Sequence, residues 1–208
     1  MTEIIENELY LGGESDITPE FLESRHIKTI INVAMECSNP LPPNSDIQYC
    51  KYSFIDSVMD FYEYFEPIIK LINDRIRVGP VIIHCKMGVS RSATFVLAYL
   101  IKTYEETLAT SYATILRYRP IMPHPEFMRA LMKYEKEQLG TQSFNNFIDA
   151  YSAKYIVVLC GLPIHCEEFV KQTYNDCDKN YYETEEFFMD LKSVTDSLAK
   201  QVNFTKIR

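Results

Sequence analysis

His84-Cys85-Lys86-Met87-Gly88-Val89-Ser90-Arg91-Ser92 joins two different periodicities. Before it, Val81-Ile82-Ile83 follows the Gly79-Pro80 breaker as a short strand of the buried kind. Behind it, Ala93, Val96, Leu97, Leu100 and Ile101 recur at helical spacing. A loop that enters a helix N-terminus turns backbone N–H groups toward one point, and the helix dipole adds positive potential there. The stretch therefore predicts a pocket for a phosphate-sized dianion. Its wall is the loop backbone of Lys86, Met87, Gly88, Val89, Ser90 and Arg91. Arg91 closes it with a planar fork that can hold two phosphate oxygens.

The same field favours the thiolate of Cys85 and makes it a nucleophile toward the phosphorus of a bound ester. Ser92 can donate its hydroxyl to the sulfur, first to the attacking thiolate and later to the departing one. His84 starts on the strand and points away from Cys85 by the alternation of strand side chains, so it is expected to support the loop through a backbone hydrogen bond and not to act as a base. The Lys86 side chain is expected at the rim of the pocket. His165-Cys166 repeats the dipeptide without the glycine or the arginine and reads as coincidence, and His26 and His124 have no partner visible in sequence.

The stretch resembles the signature loop of the cysteine-dependent protein phosphatases, His-Cys-x-x-Gly-x-x-Arg-Ser/Thr, and Val89-Ser90-Arg91-Ser92-Ala93 narrows the likeness to the dual-specificity branch. The wording from Cys85 to Ser92, with Phe127-Met128-Arg129 downstream, is most similar to the slingshot type, although none of that group's extra domains is expected here. The resemblance covers roughly residues 3–139, from Leu9-Tyr10-Leu11-Gly12 through Ile31-Asn32-Val33 to Arg119-Pro120-Ile121 and Phe127-Met128. It implies a protein phosphatase that works through a phosphocysteine intermediate on phosphotyrosine and phosphoserine or phosphothreonine, without a metal or other cofactor.

Cysteine attack expels an alkoxide or phenoxide, so an acid is needed above the pocket. Asp56 and Asp60 both lie after the strand expected over Ile47–Phe54. In the family the acid follows the form Tyr-x-x-x-x-apolar-x-Asp, which Tyr49, Phe54 and Asp56 match, so the resemblance implies Asp56. Asp60 is left as the alternative, or as the N-cap of the next helix. Two other readings of the loop stand beside the phosphatase. One is a phosphoprotein-binding module without turnover, whose mark would be loss of the acid or the nucleophile. The other is an enzyme of a phosphoinositide or RNA 5′ phosphate, against which the uncharged Val89 and Ser90 speak.

Strands alternate with helices along the chain, which predicts an α/β fold with a central, mostly parallel sheet flanked by helices. Expected strands are Leu9–Leu11, ended by Gly12-Gly13, then Thr29–Val33, Ile47–Phe54 and 81–84. Expected helices start at Thr18-Pro19 and cover 61–77, 91–103, 105–118 and 125–139; Pro67 is expected to mark a first turn or a kink. With 208 residues, the chain holds one catalytic domain, 1–142, and a mainly helical extension, 143–208. In that extension Tyr155–Cys160 is apolar, 167–174 reads as helical, and Phe187, Phe188, Leu191, Val194, Leu198 and Val202 line one face of a helix over 184–202. That face predicts extra core, a homodimer contact or a docking surface.

A net charge of −8 speaks against nucleic-acid or anionic-membrane binding. No signal-like or bilayer-spanning run occurs, and the six cysteines have no Cys-x-x-Cys pair. Cytosol or nucleus, with reduced thiols and no zinc site, is the expected setting.

Overall fold

The computed structural model describes residues 1–56 and 61–144. All of them belong to the first of the chain's two units, Met1–Asn145. Asp60 and the expected elements of the 143–208 extension lie outside the described residues, apart from Ser143 and Phe144.

Among the described residues, five strands form one sheet: β1 (Thr2–Ile5), β2 (Leu9–Gly13), β3 (Thr29–Asn32), β4 (Gln48–Lys51) and β5 (Val81–Cys85). Their order is β1-β2-β5-β3-β4, parallel except for the antiparallel β1–β2 pair. Among the described residues, five α-helices accompany them: α1 (Pro19–Ser24), α2 (Tyr62–Ile76), α3 (Arg91–Tyr104), α4 (Leu108–Leu116) and α5 (Pro125–Leu139). The expected mostly parallel sheet with flanking helices is the one observed.

β5 is the centre of the sheet, and every residue in it is buried, as its unbroken apolar run requires. The register sets Leu9 and Thr29 beside Val81, and Gly12 and Asn32 beside His84. Consequently β2, β3 and β5 all end at one edge of the sheet, the usual place for a site in parallel α/β folds. On one face Tyr10, Ile27, Ile30 and Ile82 form a core closed by Phe21 and Leu22 of α1. Residues of alternate parity, such as Leu11, Ile31 and Ile83, are also fully buried and by strand alternation point to the opposite face. There Phe61, Phe65, Phe95 and Phe127 pack ring on ring, with centroids as close as 3.8 Å for Phe61 and Phe127.

Local chemistry explains where the elements begin and end. Thr18 caps α1 by accepting from the Phe21 N–H at 3.2 Å, with Pro19 at the first helical position. Gly140 ends α5 at φ 68°, the left-handed conformation favoured at that position.

Four expectations need correction. β1 was not foreseen, because Thr2-Glu3-Ile4-Ile5 is short and only half-buried at the sheet edge. Gly12 and Gly13 continue β2 instead of ending it, since they pair with His84 and Cys85. The helix expected over 105–118 is confined to Leu108–Leu116: Glu105 takes a left-handed φ of 54° and Thr107 caps the new helix by accepting from Thr110 N–H. β4 stops at Lys51, where its partner β3 stops at Asn32. Pro67 lies in the second turn of α2, and Glu63, whose carbonyl loses its helical donor there, is exposed to solvent.

Candidate active site

The loop from Lys86 to Ser90 leaves the end of β5 and enters α3. Each of its carbonyls is taken from outside the cup. Lys86 O accepts from Glu14 N–H at 3.0 Å and Val89 O from Met122 N–H at 2.9 Å. Arg119 donates to Met87 O and Gly88 O, both at 2.7 Å. Ser90 O accepts the Thr94 N–H at 2.9 Å. With the carbonyls fixed outward, the N–H groups of Lys86, Met87, Val89 and Ser90 meet no acceptor among the described residues. Such N–H groups, at the head of a 14-residue helix, form an anion cradle.

Gly88 is required by this geometry. Its φ is +70°, and a Cβ there would overlap the Gly12 carbonyl and the Arg119 guanidinium. Gly13 is similarly close-packed, since its Cβ would lie 2.8 Å from the Met87 backbone.

Cys85 is buried, and its Sγ accepts two hydrogen bonds, from the Gly88 N–H and the Ser92 hydroxyl, both at 3.2 Å. His84 is fully buried, which lowers its pKa and keeps the imidazole neutral. Its Nδ1 lies 3.2 Å from the Cys85 carbonyl, so Nδ1 carries the hydrogen and donates. Lys86 extends outward to Glu14, with Nζ 2.6 Å from Oε2, and its side chain is half-exposed.

Arg91 is buried, and its fork is already engaged. Nη1 donates to Glu36 Oε2 at 2.7 Å and Nη2 to Glu36 Oε1 at 2.6 Å, while Phe54 O takes a third bond from Nη1 at 3.1 Å. The end-on edge therefore faces Glu36, which narrows the two-pronged phosphate grip expected from sequence to the side-on edge. Nε on that edge has no hydrogen-bond partner among the described residues. The paired guanidinium pulls the Glu36 carboxyl down to about 2. Glu36 itself is held by its loop. Lys51 Nζ donates to the carbonyls of Ala34, Met35 and Cys37, and Asn32 binds Cys37 O at 3.0 Å and the Ala34 N–H at 2.8 Å.

Asp56 reaches the same place. Its Oδ1 accepts from the Ser90 hydroxyl at 2.6 Å, and its Oδ2 lies 3.8 Å from Arg91 Nε. Burial in the cleft raises its pKa, while the Ser90 hydrogen bond and the Arg91 charge oppose the rise. The chain on either side of Asp56 is pinned by aromatic packing: Phe54 and Phe61 both stack on Phe95 of α3, at 5.2 and 5.0 Å.

The structure thus gathers Cys85, Arg91, Asp56, Ser92 and the 86–91 loop around one point, with His84 behind it. Sequence reasoning missed Glu36, Arg119 and the part played by His124. Glu36 lies 55 positions from Arg91 and carries no local signal. Arg119 stands in the Arg119-Pro120 wording, but only the fold shows that it binds loop carbonyls. His124 accepts the Glu126 N–H on Nδ1 at 3.2 Å to cap α5, and its own N–H donates to Ser90 Oγ at 3.0 Å.

A mostly parallel sheet whose central strand ends in a buried cysteine, followed by an N–H cradle and an arginine at a helix start, defines the class of cysteine-based phosphate-ester hydrolase folds. The family model described as "Dual specificity phosphatase, catalytic domain" matches residues 9–137, more than half of the chain. The chain belongs to that family.

It is 35% identical over 122 residues to "Dual specificity protein phosphatase 18" of Rattus norvegicus, covering 57% of this chain and 59% of that one. It is 32% identical over 148 residues to "Protein phosphatase Slingshot homolog 2" of Homo sapiens, covering 70% of this chain and 10% of the relative. The chain thus spans about a tenth to about three fifths of these relatives' own lengths. Among solved structures, human DUSP28 superposes with a TM-score of 0.60 at 25% identity, over 66% of this chain and 96% of that one.

Proposed function

We propose that this chain hydrolyses phosphotyrosine and phosphoserine or phosphothreonine in proteins through a phosphocysteine at Cys85. The observation that carries the reading is the loop at 86–90, whose carbonyls are all bound outward around a sulfur that accepts two hydrogen bonds.

The ester phosphoryl group enters the cradle, where the N–H groups of the loop and the side-on edge of Arg91 hold its oxygens. Cys85 Sγ attacks phosphorus, the bond from phosphorus to the ester oxygen breaks, and Asp56 gives its proton to that oxygen. Water then attacks the phosphocysteine and passes a proton to Asp56. The P–S bond breaks, Ser92 stabilises the departing thiolate by its hydrogen bond, and inorganic phosphate leaves. The raised pKa of Asp56 suits it to the first step, which needs a protonated acid near neutral pH. Presence of both acid and nucleophile supports turnover over a binding-only module.

The relatives named above are protein phosphatases by name, which supports a phosphoprotein substrate. At the rim, Lys86 is paired with Glu14 and the loop adds no other cation, which supports protein over polyanionic inositol or RNA substrates. The free thiols Cys37, Cys50 and Cys85 support a reducing setting, cytosol or nucleus. The mainly helical reading of 143–208, and its use as a homodimer contact or docking surface, stands as part of the same proposal.

A panel of phosphopeptides carrying each of the three hydroxyl amino acids, assayed beside inositol phosphates and a 5′-phosphorylated RNA, tests the substrate class. Phosphopeptides turned over with much the higher kcat/KM are expected; preference for either other class overturns it. Asp56→Asn should lower kcat on phosphotyrosine peptide by about 10²–10⁴ and act far less on p-nitrophenyl phosphate, whose leaving group needs little protonation.

A further inference from the structure

The hydroxyl of Ser90 has both of its hydrogen-bonding directions set by the fold. Ser90 is buried, 5% exposed, in the last loop position before α3. Its Oγ accepts the His124 backbone N–H at 3.0 Å, and an N–H can only donate. The hydroxyl hydrogen is therefore directed at Asp56 Oδ1, the acceptor 2.6 Å away. His124 is itself held between Pro123 and Pro125 and caps α5, so the donor to Ser90 is fixed by a helix start rather than by a free loop.

From this geometry we infer that Ser90 is a positioning residue for the general acid: through its hydroxyl it ties Asp56 to the phosphate loop and selects Oδ2 as the oxygen that carries the transferable proton. Oδ1 is occupied by the Ser90 donor. Oδ2 is the oxygen that faces Arg91 Nε, at 3.8 Å, and so faces the phosphoryl position. Two residues before Asp56, Phe54 O accepts a backbone bond from Met35 N–H at 3.0 Å. The Ser90 bond fixes the carboxyl itself. This inference rests on the reading of Asp56 as the acid.

Among the described residues, the charged groups that act on Asp56 are Arg91 from α3 and Glu36 from the loop after β3. Of these, Arg91 favours the carboxylate and Glu36 the protonated acid, and the Ser90 hydrogen bond also favours the carboxylate. Removing that bond therefore has a defined sign. The pKa of Asp56 rises, and the basic limb of the pH profile, which reports loss of the acid proton, moves to higher pH.

The test compares Ser90→Ala, Asp56→Asn and the double variant of the full chain, each on a phosphotyrosine peptide and on p-nitrophenyl phosphate across pH. Ser90→Ala is expected to cost on the order of tenfold more in kcat/KM on the peptide than on the activated ester, the worth of one hydrogen bond to a charged group. Its basic limb should move upward. In the Asp56→Asn background the extra loss on the peptide should vanish, because both residues act through one proton. Equal losses on both substrates with an unmoved basic limb would overturn the inference while leaving Asp56 in place. Failure of Asp56→Asn itself to discriminate between the substrates would remove the acid, and with it the inference. Should the alanine variant not fold, Ser90→Thr against Ser90→Val poses the same comparison in two side chains of one shape, and only the threonine should keep the wild-type substrate ratio.

Discussion

Replacing Glu36 by glutamine should weaken the protein by an amount the structure fixes in sign and size. Both Nη atoms of the buried Arg91 donate to the Glu36 carboxylate, at 2.6 and 2.7 Å. That pairing is the largest cause of the drop of the carboxyl from 4.5 to about 2, which converts at ~1.4 kcal/mol per pH unit to about 3–4 kcal/mol. The Glu36 side chain is 44% exposed, so solvent screening reduces the retained share to about 1–2 kcal/mol. For a chain of this size that lowers Tm by about 3–6 °C at pH 7. Because the folded-state value lies below the unfolded one, the contribution is complete above about pH 4.5 and is lost as pH falls toward about 2. The gap in Tm between wild type and Glu36→Gln, followed by circular dichroism, should therefore be steady at neutral pH and close on acidification. An unchanged Tm at pH 7, or a gap that widens in acid, would refute the reasoning. KM for phosphopeptide should rise more than kcat falls, because Arg91 loses the partner that sets its side-on edge toward phosphate.

Gly88→Ala should abolish activity and destabilise strongly, since the left-handed φ alone costs about 1–2 kcal/mol and the new methyl group overlaps the backbone of Gly12; wild-type turnover would contradict the loop geometry. Lys51→Met should lower stability by about 1–3 kcal/mol and raise KM, because the carbonyls of Ala34, Met35 and Cys37 lose a shared donor and the loop that presents Glu36 loosens. Urea denaturation and steady-state kinetics check both effects, and a variant with unchanged KM would separate Lys51 from the site.

Much of the fold is legible in the sequence because it is set by local chemistry. The β5 run, the helical spacing behind Arg91, the Thr18-Pro19 start and the Gly140 stop each depend on neighbours within a few residues. The cup itself is legible for the same reason, since Cys85, Gly88, Arg91 and Ser92 share one loop. Contacts made across the fold leave no such mark. Arg119 closes the outer side of a loop 31 positions earlier, and Ser90 joins Asp56, 34 positions away, to the start of α5. Glu36 is invisible in sequence because a lone carboxylate on a loop looks solvated until β3 and β5 set it beside Arg91. β1 escapes because an edge strand with little burial needs no apolar alternation.

The central claim is that Cys85 carries the phosphoryl group between substrate and water. Wild type and Cys85→Ser should be mixed with ³²P-labelled phosphotyrosine and phosphothreonine peptides, quenched rapidly in acid, and digested for mass spectrometry. The account predicts label on the peptide that contains Cys85 in the wild type. Cys85→Ser should show neither that label nor turnover, while still binding phosphopeptide. Turnover by Cys85→Ser, or label on any other residue, would contradict it.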